Sequence, residues 1–182
     1  MMKNIELEDL CIHQVCIWEK NNFKESLDCM ARNGVFKTAI WKPLLDDAGV
    51  KEAKKNLKDS GVQAISICPL VLFDDITFSN VSMRHEAHRK FLEHASELGV
   101  QSVVVITGGL PKGSRDLDGQ RKKVLEELQT LAMFSEGTGL RLALEPLHPM
   151  VCGYRSVLSS LSEANDFLDH LDRDEVFGVA VD

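Results

Sequence analysis

The sequence predicts an α/β fold built from a repeated strand–helix unit, and three features of the chain predict it. A glycine closes a helical stretch and precedes a branched apolar run at Gly34, Gly61, Gly99 and Gly139, as expected of the residue that ends a helix. The run at residues 103–106 does not alternate with polar residues, which is typical of a strand buried on both faces of a parallel sheet. The segments between the runs have the period of amphipathic helices.

The elements follow one another as five strand–helix units and a sixth strand. Val50, Ala53 and Leu57, for example, share one face of a predicted helix. No linker or low-complexity stretch divides the chain, so residues 1–182 are predicted to form one domain. Helices are predicted near residues 23–32, 50–57, 87–98, 124–132 and 161–171, and strands at residues 10–17, 35–41, 62–68, 100–107, 140–145 and 176–182.

Two architectures use such a repeat, an open doubly wound sheet and a (β/α)8 barrel. The first strand begins near residue 10 and the sixth near residue 176. A unit therefore takes about 33 residues, and eight units would take about 265, close to a typical TIM barrel. The chain stops at the sixth strand, at Asp182. We expect a partial (β/α)8 TIM-barrel domain with strands 1 to 6 and five helices, lacking strands 7 and 8, as though cut from a longer protein.

The composition argues against a nucleic-acid or membrane protein. The chain has 21 Lys and Arg residues against 28 Asp and Glu, a formal charge of −7, whereas a nucleic-acid surface needs a basic stripe. The apolar stretches are too short to cross a membrane, and the charged N-terminus does not resemble a secretory signal. The five cysteines are odd in number and lack CxxC spacing, which indicates thiols in a reducing compartment. We therefore expect a cytoplasmic protein.

Two carboxylates end neighbouring predicted strands. Glu145 follows the apolar run Leu-Ala-Leu, and Asp182 follows Val-Ala-Val. Ligands bind at the carboxyl ends of strands in both architectures, and two carboxylates there can share a divalent cation. Oxygen ligands favour Mg²⁺ or Mn²⁺, and an added histidine favours Mn²⁺, Co²⁺ or Zn²⁺. The structural alternatives are that Glu145 caps a loop or pairs with Arg155, and that Asp182 caps a helix or merely ends the chain.

Five further residues near predicted strand ends are candidates for substrate binding. His148 lies three residues after Glu145, and His13 lies near the end of the first strand, where a core role is as plausible. Glycine at position 108 lets backbone approach a ligand, although glycine pairs mostly make turns. The full set is His148, His13, Trp41, Gly108 and Arg115. Three histidines of one predicted helix are expected on its surface or half-buried: His85, His88 and His94.

These motifs resemble the sugar phosphate isomerase/epimerase family of xylose isomerase-like TIM barrels, which includes the ketose 3-epimerases. The run Leu142–Met150 with Arg155 and Ser156 is similar to the fifth-strand motif of that family, and Gly178–Asp182 to its sixth-strand motif. Weaker similarity extends over the rest of the chain, at residues 39–42, 48–50, 108–111 and 113–116.

The resemblance implies a divalent-metal-dependent isomerase or epimerase of carbohydrate metabolism that acts on a small sugar or sugar phosphate. It implies one metal ion, held by a glutamate, an aspartate, a histidine and a second glutamate from strands five to eight. Glu145 and Asp182 would be the first two ligands, and Glu145 would be half of an acid/base pair that moves a proton through an enediolate. The other two ligands would lie beyond residue 182, so the chain alone is expected to be inactive. Family members commonly self-associate, which implies a homo-oligomer by analogy.

Two segments depart from the family pattern, and two other functions compete with the first. His13-Gln14 replaces the usual Asn-Gln pair, and residues 69–73 replace an Arg-Gly-Gly stretch, which leaves the substrate open. The first alternative is a degenerate barrel that acts as a non-catalytic binding module. The second is an apurinic endonuclease on the same barrel, which the charge of −7 disfavours.

Overall fold

The computed structural model describes residues 5–74 and 79–181, and it shows a parallel six-stranded sheet with helices between the strands. The strands lie in the sheet in the order in which they occur in the chain. They are β1 Ile12–His13, β2 Lys37–Trp41, β3 Gln63–Val71, β4 Ser102–Ile106, β5 Arg141–Leu144 and β6 Phe177–Val179. The helices are α1 Phe23–Arg32, α2 Lys42–Ala48, α3 Val50–Ser60, α4 Val81–Glu97, α5 Leu117–Ser135 and α6 Leu161–Leu171. The expected α/β class with six strands is confirmed.

The expected number of five helices is wrong for the described residues, which contain six. The second strand is followed by two helices, α2 and α3, because Gly49 interrupts the segment between them with a φ of 76°. Such a positive φ breaks the helical path and is readily adopted only by glycine. Pro43 starts α2 in the first turn, where its missing N–H costs nothing. Within the described ranges, no helix is both long and apolar enough to cross a membrane.

The first strand is much shorter than the eight residues expected. It ends at His13, whose Nδ1 accepts a hydrogen bond from the backbone N–H of Val15 and so starts a tight turn. The third strand is longer than expected and continues through Pro69 to Val71. The side-chain hydrogen bond at His13 ends the first strand there, and a hydrophobic pattern does not record such a contact.

The described residues form two compact units. The first comprises the residues up to Cys68 together with His94–Gln101. In it, β1 pairs with β2, and β2 with β3, both in parallel. Its core is made of fully buried side chains such as Leu27, Ile40 and Ile67. Asn22 caps α1 reciprocally with Glu25, which sets the start of that helix.

The second unit comprises Pro69–Glu93 and the residues from Ser102 onward. There β4, β5 and β6 pair in parallel, with Val103 opposite Leu142 and Val104 opposite Ala143. Val103 and Leu142 are fully buried, whereas Val104 and Ala143 are only half-buried. In the run 103–106, Val103 and Val105 on one face and Ile106 on the other are buried, so the expected burial on both faces is met except at Val104. The carboxyl ends of these strands position the residues described next.

Candidate active site

Glu145 lies directly after β5, at the strand end where the sequence predicts it. Its backbone N–H donates to the carbonyl of Val105 on β4 over 2.9 Å, so the β-ladder continues to this residue. The residue is only 9% exposed. A carboxylate this deep needs a hydrogen-bond donor or a cation to offset the loss of water. Glu145 is not without an interaction partner in the structure, although the alternative ion pair with Arg155 is not formed among the described residues.

His148 lies on the exposed surface of the loop that follows β5. Its Nδ1 accepts a hydrogen bond from the backbone N–H of Met150 over 3.2 Å and caps a short 3₁₀ turn, Pro149–Val151. With Nδ1 as acceptor, the neutral ring carries its proton on Nε2. The contact orients the ring of His148 and leaves it accessible, and its predicted role in substrate binding stays a prediction.

The loops after β3, β4 and β5 approach one another so closely that two of their residues must be glycine. A Cβ on Gly108 would lie 2.2 Å from the carbonyl oxygen of Phe73, and the φ of Gly108 is +79°. A Cβ on Gly109 would lie 2.2 Å from the carbonyl oxygen of Tyr154. These glycines therefore allow the backbones of neighbouring loops to approach each other, in addition to any approach of a backbone to a ligand.

Buried hydroxyl groups hold the loop after β5 against the end of β4. The hydroxyls of Thr107 and Ser156 lie 3.1 Å apart, and both residues are fully buried. Thr107 Oγ1 also accepts from the backbone N–H of Val157, and Ser156 Oγ donates to the carbonyl of Leu158. Because every hydroxyl is paired, this network makes the two loops one rigid element.

A cavity of about 470 Å³ opens between these loops, and we call it the loop cavity. Of the residues predicted to bind substrate, Gly108 lines it. Glu145, His148 and Arg115 do not line it; Arg115 is exposed just before α5. The lining residues are Val71, Phe73, Asp74, Ile106, Gly108, Gly109, Leu110, Lys112, Gly153, Tyr154 and Arg155.

In the first unit, a buried glutamine organises the ends of β1 and β2. Gln14 is fully buried, its amide nitrogen donates to Ser26 Oγ over 2.8 Å, and its amide oxygen accepts from the backbone N–H of Trp41 over 3.0 Å. His13 is half-buried beside it. The rings of Trp18 and Trp41 lie 4.8 Å apart at 58°, and Trp18 is 44% exposed. This pair offers an aromatic surface of the kind that lines small-molecule sites.

A buried ionic cluster in the second unit escaped the sequence analysis, and we call it the Glu127 cluster. The carboxylate of Glu127 lies 3.0 Å from Arg84, 3.2 Å from His85 and 3.3 Å from His88. His88 is only 4% exposed, so the expectation that it lies at the surface or half-buried is wrong. The missed signal is Glu127 itself, a charge three residues after Val124 on the apolar face of α5.

The Glu127 cluster is strongly ionic. Burial alone would raise the pKa of Glu127, but hydrogen bonds from His88 and Arg84 and the charge of Arg84 lower that pKa to about 2. The carboxylate is thus charged over the whole physiological range, and it compensates the buried guanidinium of Arg84.

The same cluster supports one wall of the loop cavity. The guanidinium of Arg84 lies over the ring of Phe73, 4.6 Å from its centroid. His88 Nε2 lies 3.4 Å from the carbonyl oxygen of Val71. Both Val71 and Phe73 line the loop cavity, so charges on α4 and α5 hold the end of β3 in place.

The two predicted metal ligands are carboxylates, the donor type that suits a divalent cation, and the structure describes one of the two. Glu145 offers a buried carboxylate at a strand end, the oxygen donor that such ions prefer. Asp182, the second predicted ligand, lies outside the described residues. Within residues 5–74 and 79–181, no group of three His, Cys, Asp or Glu side chains is placed to hold a metal ion.

Comparison with known proteins gives both a family and a set of similar structures. Residues 27–182 match the family described as xylose isomerase-like TIM barrel. A search of curated proteins finds no match. A solved protein from Sinorhizobium meliloti 1021 is 29% identical, with a TM-score of 0.87, and the match covers 96% of this chain and 63% of that one.

Two more distant structures share the fold. The IolI protein, solved with a bound zinc atom, is 19% identical with a TM-score of 0.72, covering 93% of this chain and 60% of that one. D-psicose 3-epimerase from Clostridium cellulolyticum H10, solved with D-tagatose, is 17% identical with a TM-score of 0.72, covering 93% and 61%. The chain thus spans less than two thirds of the length of each of these three proteins.

Proposed function

The chain belongs to the xylose isomerase-like TIM barrel family, and on this premise we propose that it carries part of the site of a divalent-metal-dependent sugar isomerase or epimerase. The observation that supports the proposal most directly is Glu145, a buried carboxylate at the carboxyl end of a barrel strand. In TIM-barrel enzymes this end of the strands is where catalytic residues lie.

In the proposed site, Glu145 and Asp182 hold one divalent ion, Mn²⁺, Co²⁺, Mg²⁺ or Zn²⁺. A bound zinc atom in the IolI structure supports a metal in a protein of this fold. When bound, such an ion draws electron density from the carbonyl and hydroxyl oxygens of the sugar. We also propose that the 182-residue chain alone does not turn over sugar, because the resemblance implies a third and a fourth metal ligand from strands seven and eight, which are not among the six strands that the structure describes.

We propose that Glu145 moves the proton. Its carboxylate takes a proton from the carbon next to the sugar carbonyl, and the C–H electrons form a carbon–carbon double bond as the carbonyl electrons move to oxygen, which gives an enediolate. For isomerisation, a proton returns to the former carbonyl carbon, the hydroxyl on the deprotonated carbon loses its proton and becomes the new carbonyl, and the former carbonyl oxygen takes up a proton. For epimerisation, the oxygen electrons re-form the original carbonyl while the second glutamate implied by the family returns a proton to the opposite face of the same carbon. The burial of Glu145 keeps water away from the proton being moved.

The remaining predicted residues are proposed to contact the sugar. His13 and Trp41 belong to the first unit, and His148, Gly108 and Arg115 to the second. The ring of His148 is oriented by Met150, which supports a role as hydrogen-bond donor to a sugar hydroxyl. D-psicose 3-epimerase, which shares the fold, was solved with the ketose D-tagatose, which supports a ketose as the first substrate to try.

The proposal is tested by Mn²⁺ binding, measured by calorimetry on the 182-residue chain. Loss of even an outer partner of a metal ligand costs roughly 10- to 100-fold in affinity, so Glu145→Gln should weaken binding by at least about tenfold. Glu93→Gln removes an exposed carboxylate of α4 and should leave the affinity unchanged. Equal affinity in Glu145→Gln and the unchanged chain would remove Glu145 from the metal site and favour the binding-module alternative.

A further inference from the structure

We propose that the loop cavity binds the anionic group of the substrate, so that the sugar is an acid or a phosphate ester. The groups that recognise the anion are Lys112, from the loop after β4, and Arg155, from the loop after β5. The inference rests on the proposed function for the sugar part of the ligand, and on the cavity itself for the anion.

Two of the residues that line the loop cavity are cations without an ion-pair partner in the part of the chain that the structure describes. Lys112 and Arg155 line the same cavity, and neither forms an ion pair with another of the described residues. The chain as a whole has a formal charge of −7. A cavity lined by two such cations is therefore a locally positive region of an acidic chain. Because Lys112 and Arg155 outnumber Asp74, the loop cavity is lined by an excess of positive charge, and a concave site with such an excess concentrates its potential on a ligand of the opposite sign.

The chemistry of the two cations suits a phosphate or a carboxylate. A guanidinium presents planar donors that match two oxygens of either anion, and an ammonium adds a compact charge. The third charged lining residue is Asp74, which already has an interaction partner and whose negative charge would repel a second anionic group. Two cations and one carboxylate therefore favour a ligand with a single anionic end, as in an acidic sugar.

Hydrogen bonds between the loops preorganise the backbone around the loop cavity for ligand binding. The backbone N–H of Leu110 donates to the carbonyl of Gly153 over 2.8 Å, which joins the two loops that carry the cations. The buried hydroxyl pair of Thr107 and Ser156 fixes the same two loops. Because little backbone must be ordered on binding, the contacts of Lys112 and Arg155 are gained at a small entropic cost.

The size and walls of the cavity suit a single sugar. A volume of about 470 Å³ lies within the range of roughly 300–1,000 Å³ of small-molecule sites. The rings of Phe73 and Tyr154 line it, and Tyr154 is 80% exposed, so its ring is accessible to a ligand. Arg84 contacts the ring of Phe73 but does not line the cavity, so Lys112 and Arg155 are the cations available to the ligand.

Calorimetric titration of the 182-residue chain with four probes tests the proposal. The probes are D-glucose 6-phosphate, D-glucuronate, neutral D-glucose and inorganic phosphate. We expect at least one anionic sugar to bind about tenfold or more tightly than D-glucose, because a hydrogen bond to a charged group is stronger than a neutral one. The two anionic sugars distinguish a phosphate from a carboxylate, and inorganic phosphate alone should bind more weakly than the better of them.

Matched variants locate the binding. The double variant Lys112→Gln/Arg155→Gln should weaken the anionic sugar by about 100-fold, at roughly tenfold per cation, and leave D-glucose unaffected. The control Lys122→Gln/Arg32→Gln removes the same charge from exposed positions outside the cavity and should bind like the unchanged chain. Circular dichroism would show that both double variants fold.

The inference is overturned if neither anionic sugar binds more tightly than D-glucose, or if the cavity variant binds them as tightly as the control. Failure of the proposed function is a separate result. It would be shown by Mn²⁺ affinity that does not respond to Glu145→Gln, whereas the response of anionic sugars to the Lys112 and Arg155 substitutions does not depend on the metal.

Discussion

Gly109 shows how one residue limits the loops around the candidate site. Its φ is not in the positive range, so its backbone would accept any residue, yet a Cβ would lie 2.2 Å from the carbonyl oxygen of Tyr154. That atom belongs to a backbone fixed by the hydrogen bonds of Gly153, so it cannot move aside cheaply. The glycine is required by its neighbour and not by its own conformation.

We expect Gly109→Ala to destabilise the chain by about 1–3 kcal/mol, the usual cost of overpacking. Gly178→Ala is the matched control, because it also lacks a positive φ and its Cβ would meet the nearest atom at an ordinary 3.6 Å. Urea unfolding followed by circular dichroism measures both. Equal unfolding midpoints for the two variants would contradict the tight loop contact.

At the scale of elements, the Glu127 cluster joins α4 and α5 and supports the end of β3. Its carboxylate is 6% exposed and has the guanidinium of Arg84 at 3.0 Å. Removal of one partner from a buried ion pair leaves the other charge uncompensated, which costs about 3–5 kcal/mol. The packing of α4 against α5 therefore requires all the charges of the cluster to be present. This holds even if an apolar core at the same place would stabilise the fold as much.

The pKa of Glu127 predicts how this contribution changes with pH. The pKa is lowered from 4.5 to about 2 in the folded chain, so the stabilisation is complete above about pH 4.5 and is lost as the pH falls toward 2. The difference amounts to about 3 kcal/mol. We expect the gap in unfolding free energy between the unchanged chain and Glu127→Gln to shrink by about that amount from about pH 6 to about pH 2.

The control for this prediction is Glu126→Gln, an exposed neighbour on the same helix. Its unfolding free energy should follow that of the unchanged chain at every pH, since exposed carboxylates contribute little. A gap for Glu127→Gln that stays constant with pH would mean that the carboxyl is not held in its charged form by Arg84 and His88.

At the scale of the whole molecule, the charge of −7 separates the candidate functions. A protein that binds DNA neutralises phosphates with lysines and arginines and releases counterions. An acidic chain repels a long polyanion through its overall field, while a small anion in the loop cavity meets only the local cations. Repulsion of DNA and binding of a small anion are thus compatible, because DNA meets the charge of the whole chain and the small anion meets only the cations of the loop cavity.

We expect the chain not to bind duplex DNA that contains an abasic site at physiological salt. Fluorescence anisotropy of a labelled duplex measures this, with an intact duplex as the control. Binding that favours the abasic duplex and weakens steeply with salt would restore the apurinic endonuclease alternative and argue against a sugar enzyme.

The sequence by itself determined the α/β class, the sequential parallel strands and the placement of Glu145 at a strand end. These follow from local signals: glycines that end helices, branched apolar runs, and a carboxylate after Leu-Ala-Leu. Such signals depend only on residues close together in the sequence, so the tertiary packing does not change them. The same signals miss the helix at residues 42–48, because the glycine that separates it from α3 is also typical of a loop.

Only the tertiary structure decided which distant residues meet. The Glu127 cluster joins residues some 40 positions apart, and the close approach of Gly109 to Tyr154 joins two separate loops. The loop cavity is lined by both Lys112 and Arg155, which come from two separate loops. No local pattern encodes such pairs, because burial and charge compensation are set by the packing of α4, α5 and the loops together. The candidate anion site was therefore visible in the folded chain and not in its sequence.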